Sequence, residues 1–148
     1  MRKIINILGL NLLLISSAFA ETKEEKRAKY ILLNMHQDYI ACYSFYKIGA
    51  EYVRKSNGNA EIIEGIEKSS EHSLKLAHDT GDMLGMTSDE MSTMVKSEIK
   101  NQLDLIDNDF NNASVLLEKF SQMCKKIVED KKQRISFWEE QAKKKFNE

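Results

Sequence analysis

The chain contains no proline, so no residue in its 148 positions forbids the interior of a long helix. Glycine is sparse, at six residues. Apolar residues recur at steps of three, four and seven over long stretches, which is the spacing of one helical face. Runs that alternate apolar and polar residues, as half-buried strands do, are missing from the sequence. The pattern therefore predicts an all-α protein.

Three polar segments divide the helical pattern. Residues 56–59 and 80–90 have turn-forming sequences, and the second includes Thr87 three positions before Glu90, the spacing of a capping box. A weaker break lies at 107–112. We expect a first helix over about residues 23–55, a second over 59–80, a third from about 88, and a last over about 113–146.

The two cysteines decide between two topologies. Cys42 and Cys124 both lie near the centre of a helical apolar stripe, so both side chains should face inward. Periodicity alone allows one continuous helix of roughly sixty residues after the second turn, which would place these cysteines about 40 Å apart. A break at Asn111 and Asn112 instead makes the first and last helices antiparallel and brings the cysteines into register.

We therefore predict an antiparallel up-down four-helix bundle with long first and last helices. A Cys42–Cys124 disulfide should join these two helices near their middles. An intermolecular disulfide and two free thiols are the alternatives.

The N-terminus has the layout of a cleavable secretory signal. Basic residues precede an apolar stretch at 4–15, and small residues follow up to Ala20. The apolar stretch is shorter than the ~20 residues that span a bilayer. We predict that the signal peptide, residues 1–20, is removed and that residues 21–148 form a single helical domain in the periplasm or outside the cell.

The net charge and the missing motifs exclude several classes of function. The net charge is −1 at pH 7, and loss of a basic signal makes the chain more acidic, whereas nucleic-acid-binding domains are basic. No second apolar stretch approaches membrane length, so we expect no membrane span after signal cleavage. The sequence also lacks C-x-x-C and H-E-x-x-H motifs. These features favour a non-enzymatic role without nucleic acid.

Four methionines are concentrated in one short segment that follows His78, at Met83, Met86, Met91 and Met94. Thioether sulfur is a soft ligand that suits Cu(I). The segment resembles the methionine motifs of periplasmic copper proteins, and this resemblance implies copper as a cofactor or cargo. Packing at a helix turn is the other interpretation, because methionine often fills irregular gaps.

Aromatic residues supply two further candidate sites. Tyr39, Tyr43 and Tyr46 share the helical face of Cys42, where they either line a small-molecule cleft or fill the core. The other candidate is a partner surface at the end where the two long helices project together, and its residues are Tyr30, Phe137 and Trp138. The alternative there is that the aromatic side chains pack against one another.

Taken together, these patterns predict a small exported helical-bundle protein. Its expected role is a protein-interaction or structural module of the cell envelope, with another envelope or secreted protein as partner. The alternative is a periplasmic binding protein for a soft metal or a small ligand.

Overall fold

A computed structural model of the protein describes residues 21–147, which form five α-helices. They are α1 (Lys23–Lys55), α2 (Ala60–Met83), α3 (Ser88–Leu105), α4 (Ser114–Glu129) and α5 (Lys131–Lys145), with a 3-10 turn at Phe110–Asn112. No strand occurs within residues 21–147. The all-α prediction is confirmed. The predicted count of four helices is not, because two helices occupy the place of the predicted last one.

Two other predictions concern the membrane and the signal. The predicted signal peptide, residues 1–20, lies outside the described residues. Within the described part of the chain, none of the helices combines the length and apolar character needed to cross a bilayer.

Capping boxes start α1 and α3. The backbone N–H of Glu25 donates to Thr22 Oγ1 over 3.2 Å, and the Glu25 carboxylate accepts from the backbone N–H of Thr22 over 2.7 Å. Thr87 and Glu90 repeat this arrangement, which confirms the predicted start of the third helix. Because the backbone and hydroxyl of the capping threonine both stabilise the ionised carboxylate, the pKa values of Glu25 and Glu90 are lowered.

Two residues in the left-handed helical conformation follow α3. Asp107 and Asn108 have φ values of 54° and 57°, a conformation that short polar side chains tolerate better than most. The Asn108 backbone N–H donates to Leu103 O over 2.9 Å, and the 3-10 turn then leads into α4. The predicted interruption is therefore confirmed, and the continuous long helix does not form.

A second interruption separates α4 from α5 at Asp130, and the sequence reasoning missed it. Asp130 has φ −152° and ψ 83°, so one residue leaves the helical conformation. Its backbone N–H donates to Lys126 O over 2.8 Å, and its carboxylate accepts from the Lys132 N–H over 3.1 Å. The same residue thus ends one helix and caps the next, as aspartate commonly does at helix starts.

The disulfide joins α1 to α4. Cys42 and Cys124 are bonded, with an S–S distance of 2.09 Å and a Cα–Cα distance of 5.2 Å, which confirms the predicted pairing. The contacts on either side run in opposite chain directions, as antiparallel packing requires. They are Phe45 with Phe120, Asp38 with Arg134, and Tyr30 with Phe146.

Helix α1 is central, since it packs against each of the other four α-helices. Its buried face forms about half of the apolar core, and the surrounding helices supply the rest. Buried polar side chains also attach to its backbone: Gln102 Nε2 of α3 donates to Ala41 O over 2.9 Å, and Ser70 Oγ of α2 donates to Tyr43 O over 3.3 Å. Hydrogen bonds to its carbonyl groups therefore add specificity to the apolar packing.

Candidate functional site

An open apolar groove of about 690 Å³ lies between the N-terminal half of α1, the end of α2 and α5. We call it the α1–α2–α5 groove. It is lined by Glu25, Ala28, Lys29, Ile31, Leu32, Met35, Tyr39, Thr80, Met83, Leu84 and Ile135. Most of these residues are apolar, so the groove suits an apolar ligand or an apolar face of another protein.

The groove exists because the helices differ in length. Helix α1 has 33 residues and α2 has 24, so the apolar stripe of α1 continues past the end of its neighbour. Met35 and Tyr39 form a buried floor, each 3% exposed, whereas Met83 at the rim is 73% exposed. An apolar surface that begins inside the core is therefore continuous with one that faces solvent.

His36 lies fully buried beside this groove, and sequence reasoning did not select it. Its Nδ1 is 3.0 Å from Ala77 O and 3.1 Å from Thr80 Oγ1, and Thr80 also lines the groove. A carbonyl oxygen can only accept, so Nδ1 carries the hydrogen and Nε2 bears a free lone pair. Nε2 is buried and has no hydrogen-bond partner among the described residues. The sequence around His36 has no local feature that distinguishes it from a histidine exposed to solvent.

Burial of the ring lowers the pKa of His36, because desolvation disfavours the imidazolium form. The hydrogen bond to Ala77 O acts in the opposite direction, and the charge of His78 lowers the pKa further. In the folded protein, burial therefore favours the neutral form of His36.

Gly81 allows α2 to approach this histidine closely. A Cβ atom at Gly81 would stand 2.5 Å from Met91 Sδ and 3.3 Å from His36 Cε1. The Met91 thioether and the edge of the His36 ring therefore meet at the same point on the α2 backbone. Since Cε1 is bonded to Nε2, the unpartnered nitrogen and the sulfur belong to the same small region of the core.

The buried neutral histidine makes stability depend on pH. In the unfolded chain the His36 pKa returns to its ordinary value of about 6.5, so below this pH the unfolded state binds the proton more readily. We expect the free energy of unfolding to fall as pH decreases from 7 to 5.5, with a slope of up to about 1.4 kcal/mol per pH unit from this one group.

Urea unfolding at several pH values measures that slope. The His36→Leu variant should show a flatter profile whatever its absolute stability, while His72→Gln, at an exposed position on α2, serves as the matched control. Equal slopes for the His36→Leu variant and the wild type would contradict the assignment.

The four predicted methionine ligands occupy different environments. Met91 is 4% exposed, Met86 and Met94 are partly buried, and Met83 is largely exposed. Met83 lines the α1–α2–α5 groove, whereas Met94 lines another groove between α1, α3 and α4. His78 is exposed on α2. Among the described residues, no group of three or more His, Cys, Asp or Glu side chains is placed to hold a metal ion.

The predicted tyrosine cleft is divided between separate places. Tyr39 lines the α1–α2–α5 groove, and Tyr46 lines a different apolar cavity of about 310 Å³. Tyr43 is half-buried, with its carbonyl bound to Ser70. Burial raises the pKa of the Tyr39 and Tyr46 hydroxyl groups, and nearby acidic charges add to the effect.

The aromatic residues of the predicted partner surface lie where α1 meets α5. The Tyr30 and Trp138 rings pack edge to face with centroids 6.1 Å apart. Phe137 stays 41% exposed, and the Arg134 guanidinium carbon lies 4.3 Å from the centroid of its ring. Much of this predicted surface is therefore used to pack α5 onto α1.

Asp38 anchors that contact. Its carboxylate accepts from Arg134 Nε over 2.6 Å, from Arg134 Nη2 over 3.1 Å and from Trp138 Nε1 over 2.5 Å. A single acidic residue on the inward face of the first helix was the available sequence signal for this contact.

Comparison with known proteins adds no assignment to these observations. No protein-family model, no curated protein and no solved structure matches the chain significantly.

Proposed function

We propose that this protein is an exported, non-enzymatic interaction module. Its α1–α2–α5 groove receives an apolar helical segment of another envelope or secreted protein. The observation that carries the proposal is the continuity of the groove, from the buried Met35 and Tyr39 to the exposed Met83. An amphipathic helix that lies in an apolar groove buries its own face in the same way.

The walls of the groove are held in place before any partner arrives. The disulfide joins α1 to α4, and the Asp38 contacts attach α5, which contributes Ile135 to the groove. A preformed site loses less conformational entropy on binding than a flexible one.

Two observations support export. The N-terminal sequence has the order of charged, apolar and small residues found in secretory signals. A disulfide also joins Cys42 to Cys124, and such bonds persist in oxidising compartments. Since both cysteines are bonded to each other, neither is free to serve as a nucleophile. Periplasmic or extracellular residence is therefore part of the proposal.

Site-specific photocrosslinking in the producing cells tests the groove. We expect p-benzoylphenylalanine at Met83 to give one discrete adduct with another envelope or secreted protein, because this side chain lies at the open rim. Ile62 is the matched control, since it is an apolar residue on the same helix with 55% exposure.

A second substitution locates the contact. Leu32→Arg places a charge inside the groove and should abolish the adduct formed from position 83. No adduct from position 83, or equally intense adducts from positions 83 and 62, would contradict the proposed docking site.

A further inference from the structure

The geometry points to a buried binding site for a soft monovalent metal ion, Cu(I) or its close analogue Ag(I), between His36 Nε2 and Met91 Sδ. This inference goes beyond the proposed docking function and does not depend on it. It also differs from the ligand set that the sequence suggested, because the nitrogen comes from His36 and not from His78. One nitrogen and one thioether sulfur, both uncharged, are the donors.

His36 Nε2 is a potential metal ligand that has no hydrogen-bond partner among the described residues. His36 is fully buried and Nε2 makes no hydrogen bond to any described residue, although nearly all buried polar atoms in proteins are paired. A hydroxyl or water donor would satisfy this lone pair, and so would a metal ion. The hydrogen bond from Nδ1 to Ala77 O selects the tautomer whose free lone pair is on Nε2, which is the arrangement that metal-binding histidines commonly show.

Because Gly81 has no side chain, Met91 Sδ can lie close to the His36 ring. Met91 Sδ lies 2.5 Å and His36 Cε1 lies 3.3 Å from the point that a Gly81 Cβ would occupy. With Met91 only 4% exposed, its thioether has little competition from water. Any larger residue at position 81 would push the sulfur and the imidazole away from this shared position.

The surroundings favour a cation of low charge. His36 meets the last turns of α2, where backbone carbonyl dipoles give the helix end a partial negative charge, and the last turn contains no basic residue. No carboxylate is among the proposed donors, so the site lacks the oxygen ligands that Mg²⁺ and Ca²⁺ require. Neutral imidazole and thioether instead match the preference of Cu(I).

The α1–α2–α5 groove provides the route to the site. Thr80 lines the groove, and its Oγ1 also lies 3.1 Å from His36 Nδ1, so the groove and the imidazole ring share a neighbouring side chain. Met35 and Met83 line the same groove, and their thioethers can hold a soft ion during entry.

Silver titration of the oxidised protein tests the inference. Ag(I) needs no reductant, so the disulfide stays intact and no free thiol competes for the ion. Native mass spectrometry should show one Ag(I) retained per chain, and thermal unfolding should shift to higher temperature as Ag(I) is added, because the ion binds only the folded site. In nitrogen-15 NMR spectra the His36 Nε2 resonance should move while Nδ1 keeps its hydrogen-bonded signature.

Substitutions at methionine identify the ligand. Met91→Leu conserves volume and should preserve the fold, yet weaken Ag(I) binding at least tenfold. Met94→Leu is the matched control, since Met94 lies three residues away on the same helix and should leave binding unchanged. Folding of each variant is checked by circular dichroism before titration.

Three results would overturn the site. They are failure of the wild type to retain Ag(I), undiminished binding by the Met91→Leu variant, and an equal loss in the Met94→Leu variant. None of these results bears on the crosslinking from position 83, so the two proposals stand or fall separately.

Discussion

Replacing both Cys42 and Cys124 with alanine is expected to lower the free energy of unfolding by about 4.5 kcal/mol. The disulfide joins positions separated by 82 residues, and in the chain-entropy model closing a loop of that length removes about this much entropy from the unfolded state. Both sulfur-bearing side chains are completely buried between α1 and α4. Their loss also removes packed volume from the core, which acts in the same direction.

Urea unfolding of the oxidised wild type and the double-alanine variant measures the difference. Adding dithiothreitol to the variant serves as the control and should change nothing, because no cysteine remains. In the wild type, reduction should be slow under native conditions, since the reductant reaches the buried sulfurs only when the structure opens. A difference below about 1 kcal/mol would show that the disulfide does not stabilise the fold as the loop-closure model requires.

Asp38→Asn is expected to cost about 3 kcal/mol, because it leaves the Arg134 guanidinium without its bidentate partner. The Arg134 and Asp38 side chains are only 19% and 11% exposed, so solvent screens the pair weakly. Breaking a largely buried pair by removing one charge typically costs 3 to 5 kcal/mol. The substituted amide keeps one acceptor oxygen for Trp138, which is the reason to expect the lower end of that range.

Tryptophan fluorescence isolates the effect on α5. Trp138 is the only tryptophan in the chain, and its indole N–H donates to Asp38. In the variant we expect its emission to shift to the red and the transition in urea to occur at lower concentration. Glu140→Gln is the matched control, since this exposed carboxylate on the same helix pairs with Lys144 over 2.9 Å and should leave the transition unchanged. Identical transitions for the Asp38→Asn variant and the wild type would contradict the anchoring role of Asp38.

This contact also bears on the proposed function. Helix α5 supplies Ile135 to the α1–α2–α5 groove, so loosening α5 should widen the groove as well as destabilise the fold. The Asp38→Asn variant is therefore expected to give weaker crosslinking from position 83, even where most molecules remain folded.

Several structural features could be predicted from the sequence, either from a few neighbouring residues or from the rise along two helices. The Thr87 and Glu90 pair has the spacing of a capping box, and it starts α3 as predicted. The pairing of Cys42 with Cys124 followed from counting helical rise along two antiparallel helices. The break at Asp130 was missed because apolar residues at helical spacing continue on both sides of it, although aspartate is itself a common N-cap residue.

The candidate sites were harder to predict, because helical spacing identifies a face but not the depth or partner of a side chain. Asp38 meets Arg134 and Trp138 across 96 and 100 residues of chain. Among the methionines predicted as metal ligands, Met91 lies in the core beside His36, whereas Met83 lies at the surface. Neither outcome has a signature within a short stretch of sequence.

What the sequence by itself determined is the helical class, most of the helix starts and ends, and the covalent link between α1 and α4. The helical class and the helix limits follow from backbone preference and capping, which act over a few turns. The link follows from two inward-facing cysteines that come into register when the two helices are antiparallel. Only the tertiary structure decided that Gly81 lets Met91 approach His36 and that the stripe of α1 continues beyond α2 as an open groove. Those features depend on the lengths and contact positions of different helices, which are set when the helices pack together and not within any one of them.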